Sequence, residues 1–395
     1  MGIKIVPKVK WVGKVDWELE TFHGEDYSTH RGSTYNSYLI MDELNVLIDT
    51  VWAPYAKEFL EELEKEIDLN DIDIVIANHG EIDHSGALPL IMERIPDKPI
   101  YCTENGIKSL QGHYHKDWNF KPVKTGDKLN TGNHELMFIE APMLHWPDSM
   151  FTYMTGTNIL FSNDAFGQHY ATELLFNDLV DQAELYQEAI KYYANILTPF
   201  SPLVKKKIEE FASLDLPLDM ICTSHGVIWR DNPMQIVEKY LSWADKYSEN
   251  QITIVYETMW GGTRRMAEAI AEGIKENSDI TLKLVNAGKS DKNDIITEIF
   301  KSKAILVGSP TVNKGILSSI AGLLEEVKGL GFKDKKAAAF GTYGWSGESV
   351  KRLETFLNDG GFEVVSEGIL EKWEPDQNIL DKCRGFGEKF VKKIQ

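Results

Sequence analysis

Cysteine is scarce in this sequence: Cys102, Cys222 and Cys383 are the only three in 395 residues, far apart and never in a C-x-x-C pair. That excludes a disulfide framework and an iron–thiolate module. All three are expected to be buried as small apolar residues. No apolar run is long enough to cross a bilayer, and Met1-Gly2-Ile3-Lys4-Ile5-Val6-Pro7 lacks the sustained apolar stretch of a secretory signal. A cytoplasmic protein without a membrane partner is expected. Internal repeats and low-complexity tracts are absent too. Positive charge is the minority sign: the formal net charge is −19, and because the charges after residue 250 sum to near zero, almost all the excess lies before it. An acidic first part excludes nucleic acid and anionic membrane as partners. The neutral second part is the easier surface for an acidic protein to approach.

What is present fits a globular protein of about two domains, with 43% hydrophobic and 26% charged residues. The first half is organised around Asn78-His79-Gly80-Glu81-Ile82-Asp83-His84-Ser85-Gly86, which follows the apolar run Ile72 to Ala77 and precedes a helical pattern from Ala87 to Arg94. Four metal-capable side chains fall within six positions, on a loop leaving a buried strand. Such a packet is costly unless a metal neutralises it. Three more polar residues stand at the ends of apolar runs: His145 after Met137 to Leu144, Asp164 after Asn158 to Asn163, and His225 after Met220 to Ser224.

The pattern restarts with the strand-like run Gln251 to Tyr256, which divides the chain into 1–249 and 250–395. The new strand runs into Thr258-Met259-Trp260-Gly261-Gly262-Thr263 and then a helix from Arg264 to Lys275. Backbone N–H groups at such a helix N-terminus hold phosphate. The loop is neither G-x-x-x-x-G-K-[ST] nor G-x-G-x-x-G, which disfavours nucleoside triphosphates and dinucleotides. Two later strand ends carry Ser309-Pro310-Thr311-Val312-Asn313 and Thr342-Tyr343-Gly344-Trp345-Ser346-Gly347. Open α/β sheets place their ligands at such ends.

The spacing H-x-E-x-D-H resembles the H-x-H-x-D-H loop of the metallo-β-lactamase superfamily, with Glu81 in place of the second histidine. A carboxylate in that slot moves the site from zinc toward non-haem iron. With His145, Asp164 and His225 in order behind it, the set resembles the ligands of flavodiiron proteins. The resemblance implies an α/β chain: a metallo-β-lactamase-like αβ/βα sandwich, then a flavodoxin-like, doubly wound parallel sheet of five strands. It also implies two iron ions, one on His79, Glu81 and His145, the other on Asp83, His84 and His225, with Asp164 between them. His23 and Tyr193 would line the substrate pocket.

The loop from Thr258 to Thr263 resembles the FMN phosphate loop of flavodoxins, so FMN is the second implied cofactor, with Ser309 to Asn313 and Thr342 to Gly347 beside the ring. The implied activity is reduction of dioxygen to water, of nitric oxide to nitrous oxide, or of both. Without paired C-x-x-C motifs no built-in rubredoxin is expected, and a separate rubredoxin or rubredoxin-like protein becomes the implied electron donor. A head-to-tail homodimer, or a dimer of such dimers, is the implied assembly. The alternatives are a metal-dependent hydrolase fused to a flavodoxin, and a flavodoxin-type electron carrier with an inert first domain.

Overall fold

The computed structural model describes residues 2–394. The chain divides into two compact units, one formed by residues 1–192 and 200–241, the other by Tyr193–Pro199 and residues 242–395. The division falls a few residues before the expected 249/250 step, and a seven-residue stretch of the first half belongs to the second unit. Strand Glu249–Tyr256 starts two residues before the expected Gln251.

In the first unit, β-branched and aromatic runs form two facing sheets. The seven-stranded sheet has the order Ile3–Val6, Val9–Trp11, Tyr38–Met41, Asn45–Ile48, Ile72–Ile76, Ile100–Cys102 and Phe120–Pro122. Its first four strands pair antiparallel and the remainder parallel. The five-stranded sheet runs Lys128–Asn130, Glu135–Glu140, Met150–Met154, Ile159–Asn163 and Met220–Thr223, with only the last pair parallel. Alternate side chains of both sheets meet in one core, among them Ile40, Val46, Ile74 and Ile76 from the first and Phe138, Met150, Phe161 and Cys222 from the second. All three cysteines are buried and free.

Three strands of this sandwich end at residues singled out from the sequence. Ile72–Ile76 leads to His79, Ile159–Asn163 to Asp164 and Met220–Thr223 to His225. Strand ends therefore aim the polar groups, and the apolar core stays dry.

The second unit carries a parallel sheet in the order Thr281–Asn286, Glu249–Tyr256, Ser302–Gly308, Lys336–Tyr343 and Glu363–Val364. Its central strands are continuous apolar runs, as expected of a sheet covered on both faces. The sheet has six strands where five were expected. The sequence Val365-Ser366-Glu367-Gly368 interrupts the edge, so its place is shared by Glu363–Val364 and a further strand, Ile369–Lys372, which pairs with the outer half of Lys336–Tyr343. Gly368 passes so close to the Ala339 carbonyl that a Cβ would lie 2.7 Å from it. The extra strand carries the chain to the same sheet end as the three candidate ligand loops. The long helices Gly262–Glu276 and Gln377–Ile394 pack on one face.

Candidate metal centre and flavin cradle

The loop after Ile72–Ile76 is fixed before any metal is considered. Asn78 N–H donates to Asp49 Oδ1 at 2.7 Å, the Thr50 hydroxyl donates to the His84 carbonyl at 2.8 Å, and the Ser85 hydroxyl donates to the carbonyls of Gly80 and Glu81. The short helix Ile82–Ser85 then sets Asp83 and His84 side by side.

Two groups of ligand atoms result: His79, Glu81, His145 and Asp164, and Asp83, His84 and His225. Asp164 ties them together. Its carboxylate lies 3.0 Å from His84 Nε2, 3.5 Å from His145 Nε2, 3.5 Å from His225 Nε2 and 3.7 Å from His79 Nε2. Glu81 Oε2 is 3.2 Å from His79 Nε2 and 3.6 Å from His145 Nε2, while Asp83 Oδ2 is 3.1 Å from His225 Nε2. His84 Nε2 points inward, 3.2 Å from Asp83 Oδ2.

Both carboxylate oxygens of Asp83, both of Asp164 and both ring nitrogens of His84 are buried without a geometrically sound hydrogen bond. Buried polar groups left in that state cost free energy, and a metal ion is the partner that satisfies carboxylate oxygens and imidazole nitrogens together. The donor set, four imidazoles and three carboxylates without sulfur, therefore fits two borderline cations.

The electrostatics agree. Burial works against the charged form of Asp164, yet the surrounding histidines, His84 foremost, hold its carboxyl well below the usual range. Glu81 is lowered in the same way by hydrogen bonds from His23 and His79. Burial pushes His84 down, but Asp164 and Asp83 outweigh it and raise the imidazole to about 9. Protons thus hold the place that cations would take.

Residues behind the ligands orient them. His79 Nδ1 lies 3.1 Å from Asp148 Oδ1, and Asp148 Oδ2 accepts the Gly80 N–H at 2.7 Å. Gly80 makes this approach possible, since a Cβ there would sit 2.8 Å from Asp148 Oδ2 and 2.6 Å from Ser109 Cβ. His225 Nδ1 donates to the Thr34 carbonyl at 2.6 Å, leaving Nε2 for the site. Asp148→Asn is expected to lower metal affinity about 10- to 100-fold by loosening the His79 ring. Metal titration of the variant checks this, and unchanged affinity would show that His79 is held by packing alone.

In the second unit, three loops surround a cavity of about 280 Å³ at the sheet end. Thr258, Met259, Trp260 and Gly262 come from the first loop, Pro310 and Thr311 from the second, and Thr342 to Trp345 from the third. Gly261, at φ 95°, turns the chain into helix Gly262–Glu276, and its N–H donates to the Thr258 hydroxyl at 3.0 Å. Trp260, Trp345 and Trp373 are 87%, 89% and 62% exposed. Three exposed tryptophans near one cavity form an apolar rim of the kind that marks a binding site.

A family model described as ODP family beta lactamase matches residues 34–226, and a flavodoxin model matches residues 254–387. The chain is 56% identical to an anaerobic nitric oxide reductase flavorubredoxin of Escherichia coli O1:K1, an alignment covering 100% of this chain and 82% of that protein. Among solved structures, rubredoxin oxygen:oxidoreductase from Desulfovibrio gigas superposes with a TM-score of 0.97 at 36% identity, over 100% of this chain and 98% of the other. The flavodiiron protein from Giardia intestinalis gives 0.95 at 34% identity, over 100% and 97%. The chain belongs to the flavodiiron protein family.

Some of the residues expected to serve this flavodiiron protein's sites lie elsewhere. His23, at φ 54°, stands at the metal site with Nε2 3.2 Å from Glu81 Oε1. Tyr193 does not. Its buried ring packs on Trp243 and Phe300, at 5.5 and 5.8 Å between centroids, inside the second unit. The tyrosine on the metal side is Tyr192, whose ring is 5.2 Å from that of His169. Successive helical residues point about 100° apart, so the step from 192 to 193 changes which core is faced.

Of the residues expected beside FMN, Gly261, Thr263, Ser309, Val312, Asn313, Ser346 and Gly347 are not among those lining this cavity. Thr263 is buried with its hydroxyl 3.0 Å from that of Thr342, and the Ser309 hydroxyl donates to the Pro310 carbonyl and accepts the Leu317 N–H. These two buried hydroxyls brace the loops from behind. Trp373 and Glu374 line the cavity and went unread in the sequence, because the strand that delivers them follows the break at Ser366 to Gly368.

Proposed function

We propose that this flavodiiron protein reduces nitric oxide to nitrous oxide, dioxygen to water, or both, at a pair of iron ions fed by FMN. The observation that carries this reading is Asp164: one buried carboxylate, bare of hydrogen bonds, facing the Nε2 atoms of four histidines. His79, Glu81 and His145 would hold one iron and Asp83, His84 and His225 the other, with Asp164 shared. The irons would supply one-electron redox chemistry and open positions for a diatomic gas.

This chain's own residues do the remainder. Asp148 and the Thr34 carbonyl keep His79 and His225 aimed inward. His23 sits on Glu81; burial lowers its basicity, but the bond to that carboxylate raises it overall, which favours a proton on the ring beside the site. FMN would lie in the cavity between Thr258, Thr311 and Tyr343, its ring edged by Trp260, Trp345 and Trp373. Nitric oxide is the first gas to test, because the relative named as a nitric oxide reductase is 56% identical and the one named as an oxygen oxidoreductase 36%.

Electrons would come from a rubredoxin or rubredoxin-like donor docking on the near-neutral second part. No described helix is long and apolar enough to cross a membrane, and a cytoplasmic location fits that reading. The expected assembly is a head-to-tail homodimer, in which the flavin of one subunit serves the metals of its partner. Mixed dimers pairing a His79→Ala/His145→Ala subunit with a Thr258→Ala/Thr263→Ala subunit should then recover activity that neither parent has.

The deciding experiment loads the protein with iron and FMN, reduces it without oxygen, and mixes it with each gas in a single turnover. Rapid reoxidation with nitrous oxide or water as product is the expected result. Near-stoichiometric zinc in the purified protein, with hydrolysis of thioesters or lactams and no gas consumption, would replace this reading by the hydrolase one.

A further inference from the structure

Behind His225 the first unit contains an aromatic path that the proposed reaction does not use. The ring of Tyr35 lies 6.0 Å from that of His225, and Tyr35 is completely buried. From Tyr35 the next rings are Tyr55 at 5.8 Å and Trp52 at 6.1 Å, and those two are 6.3 Å from each other. Tyr35 is buried, Trp52 and Tyr55 are half-buried, and Lys57 in the adjoining helix Ala56–Leu63 is exposed. The path therefore leads outward from a candidate metal ligand.

A second feature separates this path from ordinary core packing. Asp16 is a buried carboxylate, 4% exposed, with no cation paired to it among the described ion pairs. Its Oδ2 faces the Tyr35 hydroxyl at 3.4 Å, and burial together with the same carboxylate pushes the Tyr55 phenol up. Strand pairing fixes this, because Lys14–Asp16 runs antiparallel to Ser33–Tyr35 with Asp16 opposite Ser33. One carboxylate thus accepts from Tyr35 and acts electrostatically on Tyr55, the next ring of the path. A phenol loses its proton when it loses an electron, so an acceptor at hydrogen-bond reach is what a redox-active tyrosine needs.

We propose that Tyr35, with Asp16 as proton acceptor and Tyr55 and Trp52 as outward steps, forms a one-electron route from His225 toward the surface that discharges excess oxidising equivalents from the metal site. The inference rests on the gas-reducing reading above. Reduction of dioxygen to two waters takes four electrons and four protons, and a centre that meets dioxygen while its flavin is oxidised has only two electrons from its irons. Tyr35 then gives one electron to the centre and its phenolic proton to Asp16, leaving a neutral phenoxyl radical. An electron from Tyr55 or Trp52 refills Tyr35 as Asp16 returns the proton, and a second such cycle supplies the fourth electron. Two external thiols replace the two electrons and leave as a disulfide, releasing two protons, and the remaining two protons of water come from solvent. Oxidising equivalents leave through tyrosine and the histidine ligands are spared.

The test separates the route from the gas chemistry. A photo-oxidant is attached through Lys57→Cys, the native cysteines being buried, and the metal-free protein is flashed and examined by electron paramagnetic resonance. A tyrosyl signal is expected, narrowed by ring-deuterated tyrosine, lost in Tyr35→Phe and diminished in Asp16→Asn at unchanged thermal stability. A signal of equal size and shape in Tyr35→Phe would overturn the route, whichever reaction the metal site performs. In a second arm the iron-loaded, flavin-oxidised protein is mixed with dioxygen and freeze-quenched. The same radical, with its loss in Tyr35→Phe accompanied by oxidised His84 or His225 in peptide mass spectra, supports the protective role. Absence of any organic radical in the unmodified chain would refute it, even if the photochemical arm succeeds.

Discussion

Asp164→Asn is expected to strip metal from both halves of the site while leaving the fold and the flavin cradle intact. The substitution is isosteric, so the neighbouring strand ends keep their packing. What changes is that one oxygen becomes an NH₂ donor facing imidazole nitrogens, and the charge shared by two metal positions disappears. Four Nε2 atoms within 3.0 to 3.7 Å then surround a neutral amide. Loss of a residue that merely orients a ligand costs about 10- to 100-fold in metal affinity, so loss of a shared ligand should exceed about 100-fold. Metal content after gel filtration, flavin absorbance and gas consumption are the three measurements. Emptied metal, retained flavin and no turnover are expected; near-normal iron and turnover would mean that Asp164 is no ligand.

The parts of the site that were legible in the sequence are those where a polar residue breaks an apolar run. His79, Asp164 and His225 each follow a buried strand, and burying a polar group there needs a reason that a metal supplies. The loops around the cavity of the second unit were legible on the same ground, as small and hydroxyl-bearing residues at the ends of parallel strands. Legibility failed where a single residue decides the direction of a side chain. Tyr192 and Tyr193 are indistinguishable as neighbours in a helical pattern, yet one faces the metal unit and the other packs on Trp243 and Phe300.

It failed again where a strand is discontinuous. Glu363–Val364 and Ile369–Lys372 are too short for alternation to register, so the second of them, and the Trp373 it carries to the cradle, had no sequence signature. Asp148 shows a third limit. It stood in view beside His145, but its bond to His79 joins residues 69 apart in sequence, and only the folded sheets bring them together.

The metal-free protein is expected to lose stability as pH rises from about 6.5 to about 9, and the metal-loaded protein to show no such loss. The sign follows from His84. Its imidazole titrates near 6.5 when unfolded and is raised to about 9 in the fold, where Asp164 and Asp83 more than offset burial. A raised group adds stability that is fully present below its unfolded value and is lost as pH climbs through its folded value. That difference is roughly 2.5 units, or about 3 kcal/mol, and with a unit of this size it corresponds to roughly 6–12 °C in melting temperature. Glu81 and Asp164 act in the opposite direction: both are lowered in the fold, so their contribution is present above the ordinary carboxylate range and fades as acid protonates them. The combined contribution of these three groups is therefore largest between about pH 4.5 and 6.5. Bound metal demands neutral imidazole and displaces the protons, so the alkaline slope vanishes and metal uptake below pH 9 releases acid. Calorimetric scans of both forms at several pH values, with proton release followed in weak buffer, test the coupling. Parallel curves for the two forms would show that protons and metal do not compete for the same atoms, and the seven-residue site would have to be redrawn.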